Sequence, residues 1–153
     1  MSTKIINEFP NEPIQWVGHQ EFQKDNGSVS KYNVIYIGYE SFFIEITVSE
    51  GVLHIRKTEG CPVEFKDPFR FLRCGNDLLG SLVGKKIDRV QYLVSNQDDY
   101  MSYGIIIHLD GGEKLLYYEN DLEEMVVDLA DELPSGLVAL PTLRSPRSRE
   151  NDR

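Results

Sequence analysis

The strongest constraint on the fold lies in residues 41–57, where apolar and polar side chains alternate on both sides of Glu50-Gly51. A two-residue turn there fixes which residues of the two segments face each other. The pairs that follow from this register are Val48–Leu53, Ile46–Ile55, Glu45–Arg56 and Thr47–His54. Because the apolar pairs share one face and the opposite charges meet on the other, the sequence predicts an antiparallel hairpin with one buried face.

Further strands are predicted at residues 32–38, which are rich in Val, Ile and Tyr, and at residues 85–95, 103–109 and 114–118. The last two flank Asp110-Gly111-Gly112 and predict a second hairpin. A two-residue loop and a three-residue loop with a bulge both leave sensible cross-strand pairs, so the register of this hairpin stays open.

A helix is predicted over residues 120–133. Asn120 and Glu123 have the spacing of a capping box, and Pro134 ends the segment. Apolar side chains recur at helical spacing and predict one buried stripe. These are Leu122, Met125, Val126, Leu129 and Leu133.

Together these elements predict an α+β domain over residues 1–133, with one antiparallel sheet of about five or six strands and the 120–133 helix packed on it. A length of 153 residues fits one such domain. Residues 134–153 are predicted to be a tail that is disordered at least over 144–153, although the segment 135–141 could lie along the body.

The formal net charge of −9 disfavours binding to nucleic acid or to anionic membranes. Four arginines and two acids give residues 134–153 a net charge of +2, so residues 1–133 have a net charge of −11. Neither a signal peptide nor a membrane-spanning segment is recognisable, and the cysteines, Cys61 and Cys74, form no disulfide framework. These features predict a cytoplasmic protein.

No catalytic or metal-binding motif is recognisable. His54 and His108 lie in different hairpins and would be neighbours only if the hairpins share a sheet, and a metal ion would need a third ligand. Cys74 lacks a histidine fixed beside it, so a buried structural thiol is the simpler interpretation. We therefore predict no cofactor, no metal and no catalytic residue.

The remaining feature is acidity. Seven carboxylates and no base occur within residues 119–132. Such a surface would steer a basic partner towards it, although solubility alone would also explain the charge. We assign partner binding to the acids of this segment and of the polar loop at 96–99. They are Glu119, Asp121, Glu124, Asp128, Asp131, Glu132, Asp98 and Asp99.

Three segments, residues 82–87, 96–100 and 105–112, resemble a family of small uncharacterised bacterial β-rich domains. In those domains an LxGK.I strand leads to an NQ.GY loop and then to a strand with a DG turn. Asp99 stands where that pattern has glycine. The size and acidity are also similar to those of immunity proteins, which neutralise toxic nucleases by binding them. The resemblance implies a fold and a class of protein, and it supplies no catalytic residues.

The leading hypothesis is a non-enzymatic protein-binding domain, an immunity-type inhibitor of a basic toxin. The alternative is a small-molecule-binding domain or minor hydrolase with a pocket over the sheet that involves His54, His108 or Cys74. A structural subunit of a larger assembly is a third hypothesis, and it would expose an extended apolar patch.

Overall fold

The computed structural model describes the chain in eleven stretches and contains eleven strands with one short 3-10 helix, Leu79–Leu82. The described residues are 3–5, 9–23, 25–27, 29–49, 52–60, 69–73, 78–95, 102–120, 124–129, 132–134 and 136–139. The strands are β1 (Thr3–Ile5), β2 (Trp16–Gln23), β3 (Val29–Gly38), β4 (Phe42–Ser49), β5 (Val52–Glu59), β6 (Phe69–Arg73), β7 (Ile87–Ser95), β8 (Ser102–Leu109), β9 (Lys114–Glu119), β10 (Met125–Leu129) and β11 (Leu137–Ala139).

The strands form two antiparallel sheets. Sheet 1 has six strands in the order β1-β5-β4-β3-β2-β6, and sheet 2 has five strands in the order β10-β9-β8-β7-β11. Each sheet is built around four consecutive strands, β2–β5 and β7–β10. Such a meander follows from strands that alternate along the chain with short turns.

The two sheets pack face to face around one apolar core, as in a β-sandwich. Side chains from both sheets contribute to this core, among them Ile35 and Ile46 of sheet 1 and Ile105 and Tyr117 of sheet 2. The Tyr117 hydroxyl donates across the core to the backbone oxygens of Tyr32, at 2.8 Å, and Asn33, at 3.2 Å. Burial of apolar area drives this packing, and the two backbone oxygens give the buried Tyr117 hydroxyl its hydrogen-bond partners. We call the sheet faces turned away from this core the outer faces.

The β4–β5 hairpin confirms the register predicted from the sequence. Val48 lies opposite Leu53, and Glu45 lies opposite Arg56. The β8–β9 hairpin has a three-residue loop, residues 110–112. Leu109 and Glu113 pair across it, since Leu109 N donates to Glu113 O at 2.8 Å. Gly112 closes this loop with φ of +91°, in the left-handed region that favours glycine.

The predicted α+β fold with one sheet and a helix over 120–133 is wrong. The described residues contain no α-helix, and residues 125–129 form β10, which pairs with β9. Apolar residues in this segment fit strand alternation as well as helical spacing, and Met125 and Val127 pack on the main core. β-Branched Val126 and Val127 favour the extended form, since they pack well on a pleated surface.

Asn120 closes a turn instead of capping a helix. Its side-chain Oδ1 accepts a hydrogen bond from Glu124 N at 3.1 Å, and its own backbone N–H donates to Glu124 O at 2.9 Å. These two bonds close the β9–β10 hairpin. An asparagine side chain that can cap a helix can also close a turn, which is why the capping signature was misleading here.

Residues 137–139, within the segment predicted as a tail, form β11 and pair with residues 93–95 of β7. Residues 144–153 lie outside the described part of the chain. Two of the exposed large apolar side chains in the described residues flank the 3-10 helix, and the others lie on or near different strands. They are Val29, Leu78, Val83, Leu133 and Val138. No helix among the described residues is long and apolar enough to cross a membrane.

Candidate functional site

Four of the eight residues assigned to partner binding lie within the described residues, and all four belong to the β9–β10 hairpin or the segment after it. Glu119 ends β9, Glu124 follows the turn, Asp128 is exposed on β10, and Glu132 is exposed beyond it. We call these four residues the acidic edge. Asp98, Asp99, Asp121 and Asp131 lie outside the described residues.

The acidic edge follows the outermost strand of sheet 2. β10 begins that sheet, with β9 as its neighbour. A strand advances about 3.3 Å per residue, so Glu124 and Asp128 are about 13 Å apart along the edge. Asp128 lies opposite Leu116, on the outer face of the sheet. Those acids of the predicted helix that lie within the described residues are thus found on or near an edge strand.

The histidines of the alternative hypothesis lie on opposite sides of the molecule. His54 faces outward on sheet 1, opposite Thr47, and His108 faces outward on sheet 2. The two sheets and the core separate them, so they cannot share a pocket. Cys61 and Cys74 lie outside the described residues. Within the described stretches, no group of three His, Cys, Asp or Glu side chains is placed to hold a metal ion.

A row of polar side chains crosses the outer face of sheet 1. The register places Tyr36 of β3 opposite Glu45 of β4, and Glu45 opposite Arg56 of β5. Burial raises the pKa of the Glu45 carboxyl, while the charge of Arg56 acts in the opposite direction. The sequence predicted the Glu45–Arg56 pair. Tyr36 was missed, although the short turn between Gly38 and Phe43 is the signal that aligns it.

Hydrogen bonds fix Tyr36, which is 1% exposed. Gln20 Nε2 donates to the Tyr36 hydroxyl at 3.3 Å, and Asn33 Nδ2 donates to Gln20 Oε1 at 2.8 Å. Burial, followed by the charge of Glu45, raises the pKa of Tyr36, so its hydroxyl stays protonated at neutral pH. Tyr36 can therefore act as a neutral hydrogen-bonding group beside the carboxyl.

Aromatic rings surround this row on the same face. The Tyr36 and Phe43 rings meet edge to face, with centroids 5.7 Å apart. The Trp16 ring lies 6.2 Å from Phe43 and covers Gly38, where an added Cβ would lie 1.9 Å from the indole. Apolar walls beside a few fixed polar groups are typical of a small-molecule site.

A further histidine is buried beside an acid near the other edge of sheet 1. His19 Nε2 lies 3.3 Å from Glu21 Oε2, and its ring meets that of Tyr32 edge to face, with centroids 5.2 Å apart. His19 and Glu21 are two residues apart on β2, so strand alternation places both side chains on the same side of the sheet. This arrangement satisfies a buried imidazole and needs no ligand to explain it.

Comparison with known proteins finds no family model, no curated protein and no solved structure that matches this chain.

Proposed function

We propose that the protein is a non-enzymatic binding domain, an immunity-type inhibitor that binds a basic protein toxin through the acidic edge. The observation that supports this function best is the location of Glu119, Glu124, Asp128 and Glu132 along one edge of sheet 2. Residues 119–132 contain no lysine or arginine.

Electrostatics gives such an edge a function in association. A net charge of −9 attracts basic proteins over long range, and the acidic edge would orient them as they approach. Charges on an edge strand also prevent edge-to-edge aggregation. The two roles differ in what they predict, because only partner binding depends on the position of the charges and on a specific protein.

The test is charge reversal at the edge in the full chain. The variant Glu124→Lys/Asp128→Lys/Glu132→Lys is compared with Glu12→Lys/Asp25→Lys/Glu40→Lys, which changes the net charge equally at exposed residues elsewhere. Calorimetry measures binding to the purified basic product of a neighbouring gene, with poly-lysine as a nonspecific polycation. We expect the edge variant to weaken binding to the protein at least about tenfold, or about 1.4 kcal/mol, and the control to change it little.

Poly-lysine should bind both variants equally weakly, since it responds to net charge. Equal losses of protein binding in the two variants would contradict a specific acidic edge. A larger tendency of the edge variant to aggregate, with unchanged protein binding, would assign the charges to edge protection instead.

A second candidate is the binding of a small molecule on the outer face of sheet 1. The Tyr36–Glu45–Arg56 row and the Trp16 and Phe43 rings favour a ligand with a flat apolar body and a polar group that meets the carboxyl. A fragment screen by NMR checks this. Binders should shift the Trp16 indole N–H resonance, and Glu45→Gln should weaken them. Binders that leave Trp16 unchanged would count against this face.

A further inference from the structure

A row of three basic residues crosses the outer face of sheet 2. The register places Arg89 of β7 opposite His108 of β8, and His108 opposite Lys114 of β9. Directly opposed side chains on neighbouring strands have Cβ atoms about 5 Å apart. The three side chains therefore stand side by side, with the histidine in the middle.

The imidazole lies at the base of this row. His108 is 7% exposed, whereas Arg89 and Lys114 are exposed. The next positions on the same face, Ile106 and Leu116, are buried in a small apolar cluster. The arrangement is a shallow site with an apolar and imidazole floor and a cation on each side.

One nitrogen of the imidazole already has a partner. His108 Nε2 lies 2.6 Å from Gln91 Oε1. Because an amide oxygen only accepts, Nε2 is the donor, and Nδ1 carries the lone pair of the neutral ring. No partner for Nδ1 is found among the described residues.

The row lacks a close ion-pair partner among the described residues, although Asp88 and Asp128 lie in its neighbourhood. Within the described stretches, no carboxylate lies within 4.0 Å of Arg89 or Lys114. Burial lowers the pKa of His108, and the charges of Arg89 and Lys114 lower it further, while Asp88 opposes them weakly. Asp128 lies on the same face, opposite Leu116. Like charges on adjacent strands destabilise a sheet. In a chain of net charge −9, a bound anion would reduce the repulsion within this basic row.

We propose that the Arg89–His108–Lys114 row binds the phosphate group of a small molecule, either free phosphate or a phosphate monoester. Two cations on opposite sides of the site favour a dianion over a singly charged carboxylate. The Arg89 fork can donate to two phosphate oxygens, and the Lys114 ammonium can donate to another. The apolar floor reduces the water that competes for these bonds.

Phosphate binding is coupled to the protonation of His108. A bound dianion favours the imidazolium, so Nδ1 takes up a proton from solvent and donates it in a hydrogen bond to a phosphate oxygen. By linkage, a bound dianion raises the pH at which His108 takes up its proton. A purely structural histidine would show no such coupling.

The test is an NMR titration of the full chain with inorganic phosphate, and separately with glycerol phosphate, at constant ionic strength. We expect a saturable shift of the His108 ring resonances with a Kd on the order of 1 mM, because the cations are exposed to solvent. The titration midpoint of His108 should move to higher pH at saturation. His54, on the other sheet, should show neither effect. Tighter binding of the monoester than of inorganic phosphate would identify an esterified ligand, and the reverse would identify free phosphate.

Two matched variants complete the test. Lys114→Gln should weaken phosphate binding at least fivefold, and Lys57→Gln, which removes the same charge from sheet 1, should change it less than twofold. Both variants should keep the backbone spectrum of the folded chain. A non-saturable shift, an equal shift at His54, or equal effects of the two substitutions would overturn the proposal.

Discussion

The outer faces of the two sheets share one arrangement of side chains but differ in the charges that surround the central ionisable group. Each presents a partly buried ionisable side chain on a central strand, flanked by side chains of the two neighbouring strands. On sheet 1 the group is Glu45, and its neighbour Arg56 has the opposite charge. On sheet 2 the group is His108, and its neighbours Arg89 and Lys114 are both cations.

The pKa shifts show the consequence of this difference. Burial penalises the charged form in both cases, so it raises the pKa of Glu45 and lowers that of His108. Arg56 counteracts the burial of Glu45, whereas Arg89 and Lys114 add to the burial of His108. The row on sheet 1 offsets its own charge. On sheet 2, Arg89 and Lys114 form no ion pair within the described part of the chain, which is why we assign a ligand to this row.

The largest expected effects come from the glycines that let each face pack closely. An added Cβ at Gly104 of sheet 2 would lie 2.1 Å from the backbone oxygen of Tyr117, and at Gly38 of sheet 1 it would meet the Trp16 ring. Because a backbone cannot move aside as a side chain can, we expect Gly104→Ala to lower the free energy of unfolding by about 3 kcal/mol and Gly38→Ala by about 1–2 kcal/mol. Urea denaturation followed by tryptophan fluorescence measures both.

Gly111→Ala is the control, since its Cβ would approach only the Glu113 side chain, at 3.3 Å. It should change stability little. If Gly104→Ala cost no more than this control, β8 and β9 would not approach as closely as described, and the outer face of sheet 2 would need revision.

The pH dependence of stability separates the two faces by sign. Folded Glu45 holds its proton more tightly than the unfolded chain does, so the wild type loses stability as pH rises through the carboxyl range. Folded His108 holds its proton less tightly, so the wild type loses stability as pH falls through the imidazole range. Relative to wild type, Glu45→Gln should therefore gain stability as pH rises above about 4.3, and His108→Gln as pH falls below about 6.5, the ordinary pKa values of the two groups.

These gains should be smaller than the glycine effects, because both groups are partly screened by solvent. Urea titrations at several pH values in phosphate-free buffer provide the measurement. The same pH slope in both variants would show that the two faces do not differ as described.

Parts of this architecture could be predicted from the sequence because two independent signals agreed. In the β4–β5 hairpin, the turn at Glu50-Gly51 and the alternation of side chains give one register, and that register aligns Glu45 with Arg56. Where the signals were ambiguous, prediction failed. Met125, Val126 and Leu129 fit a helix, and only the neighbouring β9 and the shared core decide for a strand.

The basic row on sheet 2 could not be predicted for a different reason. The register between β7 and β8 shifts between Ile87 and Arg89, so the alignment of Arg89 with His108 depends on an irregularity at Asp88. A bulge inserts one residue into a strand and changes which side chains face each other. No pattern in residues 87–89 of the sequence predicts this bulge. The pairing of Lys114 with His108 likewise depended on the loop length left open by Asp110-Gly111-Gly112.

In the row on sheet 1 a base lies opposite the acid, whereas the row on sheet 2 has cations on both sides of the histidine. Arg56→Glu and Lys114→Glu test this difference with the same change in net charge. In phosphate-free buffer, we expect Arg56→Glu to lower the free energy of unfolding by about 0.5–1 kcal/mol, because it places a like charge opposite Glu45. Lys114→Glu should raise it by up to about 0.5 kcal/mol, because it places an acid in a row of cations. Shifts of the same sign and size would contradict this electrostatic difference between the two rows.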